Sequence, residues 1–173
     1  VLGGQADPLT SAQKFSLFFV DIVDPYQFAA AGVDSGLQEI NDSYPGFHQG
    51  VAGLARNYTA AYADDFDGSL FAIAVLPSLL HQNPRYFRLG HGGILHRLFY
   101  SLSTAVRCKG DDGRWEPNYS NVLGNLIGGS IANFYFPPAD RGVGLAVDRA
   151  AIVTAEGSFG SLMVEFYPDV IEH

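Results

Sequence analysis

Residues 50–76 read GVAGLARNYTAAYADDFDGSLFAIAVL, and this stretch decides the fold. Gly50, Gly53, Asn57, Ala61, Asp64, Gly68 and Ala72 recur at steps of three or four, which places them on one helix face. Glycine inside a helix costs about 1 kcal/mol against alanine, so a repeated small face needs a compensating gain. Close approach of a second helix supplies one, as in small-xxx-small packing. Gly124, Gly128 and Ala132 repeat the device, and so do Gly157, Gly160 and Ser161. The residues expected to carry helix packing or an interface are therefore Gly50, Gly53, Asp64, Gly68, Gly124, Gly128, Gly157 and Gly160. The pattern alone leaves open whether these stripes face the core or a neighbour.

Outward from this helix, the N-terminal side holds two shorter ones. Thr10 and Gln13 have the form of a capping box and open an apolar-periodic stretch through Phe15, Phe18, Phe19, Ile22 and Val23. Asp24-Pro25 reads as a break and restart, with Asp24 as N-cap and proline at the first helical position. The second segment continues through Gly32, Gly36 and Ile40 to a loop at 41–46. The striped helix should run from about Phe47 to Leu76, where Pro77 kinks or ends it. A polar-aromatic corner follows at 81–87, then a helix from about Ile94 to Arg107 and a hydrophilic turn at 109–114. An uncharged helix from about Asn121 to Phe136 stops at Pro137-Pro138, and a last one from about Gly142 to Phe166 ends near Pro168. Strand alternation is nowhere sustained. The reading is all-α, a five- to six-helix bundle, with a flexible segment at 1–9 and a single helical domain over 10–173.

Composition narrows the function classes. Of 173 residues, 47% are hydrophobic and only 16% charged, below the ~25% charged typical of globular proteins. So few charges imply a substantial apolar surface covered by partners, lipid or both. A net charge of −8 with ten Lys and Arg argues against nucleic acid and against a basic patch for anionic lipid. No stretch reads as a membrane span. The uncharged run at 122–136 reaches ~22 Å at ~1.5 Å per residue, short of the ~30 Å hydrocarbon core, and the final helix is interrupted by Asp148, Arg149, Glu156 and Glu165. A peripheral or partly embedded location stays open. Cys108 is the only cysteine, which rules out an intrachain disulfide and reads as an unpaired buried thiol.

No catalytic motif survives inspection, and no catalytic, metal or cofactor residue is assigned. His81, Gln82, Arg85 and Tyr86 form the densest polar cluster, with His91 and His96 nearby. A metal centre would need converging ligands, and neither Glu-x-x-His nor His-Glu-x-x-His occurs. The corner therefore reads as one where His81 and Arg85 satisfy loop carbonyls. Asp64, Asp65 and Asp67 lack the first and twelfth oxygen ligands of a calcium loop. They read as a solvated acidic face, or else Asp64 pairs across helices with Arg56, Arg85, Arg141 or Arg149. Ser130 and Ser158 sit among glycines but within helical patterns, where a nucleophile elbow needs a preceding strand. The 13 phenylalanines and 9 tyrosines suit core and interface packing, and sequons begin at Asn41, Asn57 and Asn118.

The blocks NDSYPG (41–46), LPSLLHQNPRYF (76–87), NYSNVLGN (118–125) and EFYPD (165–169) together resemble a group of small exported bacterial proteins that share them in this order. The resemblance covers most of the chain and implies export behind a leader peptide, to the periplasm, the outer envelope or the exterior. It brings no reaction and no catalytic residue. The expected function is a non-enzymatic structural or assembly protein of the envelope, partnered by itself or by other envelope proteins, as filament, ring or accessory subunit. The alternative is a binding module for a lipid or other apolar ligand between helices lined with Phe and Tyr. An enzyme centred on His81, Arg85 and Asp64 ranks below both.

Overall fold

The computed structural model describes residues 7–171. The chain is 73% helical, with one small sheet. In order, the elements are α1 (Ser11–Ile22), α2 (Pro25–Asn41), α3 (Val51–Ser69), a π-helical stretch (Leu70–Val75), α4 (Leu76–Leu80), β1 (Gln82–Asn83), α5 (Ile94–Ser103), β2 (Arg107–Gly110), β3 (Trp115–Pro117), α6 (Tyr119–Ile131) and α7 (Val143–Ile171). Residues 1–6 of the segment expected to be flexible lie outside the described residues. The Thr10–Gln13 capping box forms, and Asp24 accepts from the Tyr26 N–H at 2.8 Å, so both sequence signals act at helix starts.

Two long rods run antiparallel. One is α1 followed by α2. The other is α3, the π stretch and α4, which form a continuous helix through Pro77 instead of ending there. Contacts from Lys14 to Pro77, Asp21 to Ser69, Tyr62 to Ile22 and Asn57 to Glu39 hold the rods along their lengths. Proline clashes with the carbonyl of the preceding turn, and the wider π turn just before it, with Leu76 N–H bonded to the Phe71 carbonyl, gives the ring room. Pro168 likewise fails to end α7. Arg88 Nε (3.0 Å) and Arg97 Nη2 (2.5 Å) donate to the Glu165 carbonyl, which adjoins the Val164 carbonyl whose helix donor Pro168 removes.

Helices α6 and α7 complete the bundle, and the small residues sit where helices meet. A Cβ on Gly124 would lie 2.6 Å from Ala72 N, one on Gly128 2.8 Å from Gly68 N, and one on Gly129 2.2 Å from the Ala146 carbonyl oxygen. The hydrophilic turn at 109–114 joins β2 to β3, and β1 pairs with β2, giving an antiparallel sheet of order β1-β2-β3. Sequence periodicity passes over strands of two to four residues because alternation needs more residues to register.

The interior is polar. Among the described residues, sixteen buried side chains are polar or charged. Twelve are apolar, seven of them alanine. Phe47, Phe136 and Leu145, with Tyr44 and Tyr135 against them, make a compact apolar cluster at one end of the bundle. Meanwhile 32 large apolar side chains are exposed, spread over α1, α2, α3, α5, α6 and α7.

Candidate functional site: a charged interior and an acidic cavity

Three ionic centres tie the elements together. At the first, Arg149 on α7 is 1% exposed. Its Nη2 donates to Asp34 Oδ2 on α2 at 2.7 Å, and its Nε to Asp64 Oδ2 on α3. Tyr135 Oη donates to the other Asp64 oxygen at 2.5 Å. Burial lifts the Asp64 carboxyl to about 6, although Arg149 and Tyr135 favour its charged form. Burial also works against the Arg149 charge, but Asp64 and Asp34 outweigh it and hold its pKa above that of ordinary arginine.

The second centre surrounds Glu165 on α7, which is 0% exposed. Its carboxylate accepts from Arg97 Nε at 2.7 Å, Tyr86 Oη at 2.7 Å, and the N–H groups of Leu89 and Gly90 at 2.9 Å each. Asp169, one turn on, pairs with both Arg88 and Arg97. Burial opposes ionisation of Glu165, but the Gly90 N–H, Arg97, Tyr86 and the Leu89 N–H prevail, so its pKa falls below the usual value. At the third centre, buried Lys14 donates to Asp111 Oδ2 at 2.8 Å and to the Pro77 carbonyl at 3.0 Å, tying α1 to the hairpin turn.

A cavity of about 860 Å³ opens between the first rod, the π stretch, α6, α7 and the sheet. Asp21, Tyr26, Asp65, Ser69 and Glu156 line its inner end, and Phe87, Arg107 and Trp115 line the sheet end. Asp21 accepts from Ser69 Oγ at 2.8 Å and from Gln27 Nε2 at 2.9 Å. Burial, then the facing Glu156 carboxylate, pushes Asp65 up to about 9, so it holds a proton against Glu156 at neutral pH. Burial raises Glu156 as well.

The residues singled out in the sequence fall into different places. Asp64 is not on a solvated face. It is 1% exposed and bonded to Arg149, because its place on the small stripe turns it inward. Gly68, Gly124 and Gly128 lie at crossings within the chain, while a Cβ on Gly53 would strike the His48 carbonyl of its own preceding loop at 1.7 Å. Gly50 stands before the helix as its N-cap with φ +95°, Gly160 faces the Tyr26 ring, and nothing lies within 4 Å of where a Gly157 Cβ would be. Gln82 is buried and fully engaged, accepting from Ser120 N–H (2.8 Å) and Oγ (2.7 Å) and donating to Glu116 and Pro117. Arg85 donates to the Asp7 carbonyl at 2.5 Å. His81 satisfies no carbonyl with its side chain. It caps α4 in the left-handed region at φ 55°, which leaves the imidazole 84% exposed.

Of the cations offered as partners for Asp64, Arg149 is the one that pairs with it, while sequence reasoning passed over Lys14, Arg97, Glu156 and Glu165 as site residues and read Asp65 only as part of an acidic face. A signal existed in α7, where Arg149 and Glu156 are seven apart and so share a face of a helix with few charges. Of the sequons, Asn57 is 3% exposed and Asn118 caps α6 through a 3.1 Å bond from the Asn121 N–H. Among the described residues, no group of three or more His, Cys, Asp or Glu side chains is placed to hold a metal ion. No protein family, curated protein or solved structure matches the chain.

Proposed function

We propose that the chain is a non-enzymatic assembly subunit of the bacterial cell envelope, partly embedded in lipid and joined by its apolar flanks to copies of itself or to other envelope proteins. The observation that carries this reading is the inverted distribution of side chains. In water, charged groups face out and apolar groups gather inside. Here Arg149, Lys14 and Glu165 are among the largest fully buried side chains, while Phe19, Phe99, Phe134 and Phe159 are exposed. Against an apolar surrounding, helices gain little by hiding apolar surface from one another. They associate through small residues and interhelical polar bonds, with ionisable groups turned inward and paired. Gly124 and Gly128 on the Gly68–Ala72 segment, with the Arg149 and Glu165 centres, fit that logic. Among the described residues no helix is long and apolar enough to cross a membrane, so the contact proposed is lateral. The envelope setting rests on the NDSYPG, LPSLLHQNPRYF, NYSNVLGN and EFYPD blocks.

The test is light scattering of the purified protein in plain buffer and in mild detergent, followed by flotation with phospholipid vesicles. The expected result is a large particle in buffer, a smaller defined one in detergent, and co-flotation with vesicles. A monodisperse monomer in buffer that stays off the vesicles overturns the reading. The cavity favours a second reading, in which the bundle holds a ligand between its helices.

A further inference from the structure

The cavity has two unlike ends, a basic and aromatic one at the sheet and an acidic inner one. At the sheet end every cation is engaged. Arg85 bonds to Asn83 and the Asp7 carbonyl, Arg107 lies 4.8 Å from the Trp115 ring centroid, and Lys109 Nζ lies 4.4 Å from that of Phe87. At the inner end, Asp21, Asp65 and Glu156 line the wall, with Asp24 also in the lining beside Asp21. Arg149, which also acts on this end, is held by Asp34 through Nη2 and by Asp64 through Nε, while its buried Nη1 has no partner among the described residues. Asp65 is 5% exposed, and no amide, hydroxyl or cationic donor among the described residues reaches its buried Oδ2. A buried acceptor without a donor is costly, and it lines a cavity large enough for an organic molecule.

We propose that the inner end binds the ammonium group of a small organic amine, with Asp65 and Glu156 as its acceptors and the Ile73 and Val153 side chains against its carbon body. The described residues offer no three-ligand set for a metal ion, and the lining mixes acceptors with apolar surface, which suits a cation that carries carbon. The proposal deepens the second, ligand-binding reading and does not depend on assembly. Binding exchanges one positive charge for another: the ammonium enters whole, the proton held between Asp65 and Glu156 leaves to solvent, and both carboxylates remain charged. The other groups facing them are Tyr26, Asp21 and Asp64, with Asp34 and Arg149 behind. Tyr26 Oη is already engaged by the Glu156 carbonyl at 2.7 Å, so it does not compete for the ligand.

The experiment uses phenethylamine as probe, with phenethyl alcohol as its uncharged counterpart, titrated into the full chain in detergent at pH 7. Calorimetry should give saturable one-site binding of the amine, and a pH-stat should record close to one proton released per amine bound. Asp65→Asn and Glu156→Gln should each weaken binding more than tenfold, with helicity checked by circular dichroism. Ile73→Phe crowds the place of the carbon body while keeping every carboxyl, and it should weaken binding more than tenfold. This variant keeps the proposal testable if either carboxyl variant fails to fold. Equal binding of the alcohol, absence of saturation, or undiminished affinity in folded Asp65→Asn overturns the proposal. Loss of assembly with amine binding intact counts against the envelope reading alone.

Discussion

Arg149 shows how much rests on single side chains in this protein. Breaking a buried ion pair by removing one partner leaves a charge without compensation, at about 3–5 kcal/mol. Arg149→Met should therefore destabilise the chain by that order in denaturant unfolding, because Asp34 and Asp64 stay buried without their cation. A loss under about 1 kcal/mol would mean that water already reaches the centre. Asp65 makes a pH prediction of definite sign. Its pKa rises from 3.8 to about 9 on folding, so between those values the native state holds a proton that the unfolded state has lost. That contribution is fully present below pH 4 and declines as pH rises. Asp65→Asn should consequently gain on the wild type between pH 5 and 8, by at most about 1.4 kcal/mol per pH unit. Thermal melts across that range check it, and a constant difference would sink it. Glu165 has the opposite sign: its lowered pKa stabilises the chain above about pH 4.5 and the benefit disappears on acidification. Burial, then the Glu116 charge, pushes the Cys108 thiol up to about 12. It should react more than tenfold more slowly than free cysteine with a disulfide reagent at pH 8.

At the scale of elements, glycines that look alike in the sequence have unlike roles. Gly129 lies against the Ala146 carbonyl with no room for a methyl group, so Gly129→Ala should force α6 and α7 apart and cost about 1–3 kcal/mol. Gly157 has open space, and Gly157→Ala should stabilise α7 by about 0.5–1 kcal/mol. If both variants shift the unfolding midpoint alike, the crossing between α6 and α7 is looser than described. The same contrast shows what was legible in advance. Helix existence, the two N-caps at Thr10 and Asp24 and the shared small face through Gly68 were readable, because periodicity and capping are local signals, whereas the inward direction of that face was not. At Pro77 the sequence left a kink or an end open, and the π turn that carries the helix through it is a matter of geometry; continuation through Pro168 was not readable, since the Arg88 and Arg97 bonds beside it come from distant residues. The pairing of Asp64 with Arg149 was one of several readings left open, and the burial of Asp65 was hidden, because an acidic run reads as solvated until the helix carrying Arg149 and Glu156 is laid beside it.

Taken as a whole molecule, the chain buries seven charged side chains while leaving 32 large apolar ones exposed among the described residues, and its behaviour in solution should follow from that arrangement. Replacing exposed Phe19, Phe99 and Phe159 together with serine should convert a detergent-dependent particle into a smaller one in plain buffer while leaving helicity intact. Unchanged particle size in that triple variant would place the contact elsewhere. The Arg149 centre also has a consequence in time. Its bonds join positions 115 and 85 residues apart, and the Arg97–Glu165 bond spans 68. Contacts so distant in sequence slow folding, since the chain must close long loops before they form. A nascent chain holds Asp34 and Asp64 without their Arg149 counter-ion until α7 has been synthesised. Synthesis of α7 thereby becomes the step that commits the whole bundle, and any chain cut short before it should be recognised as unfinished by its own unneutralised interior.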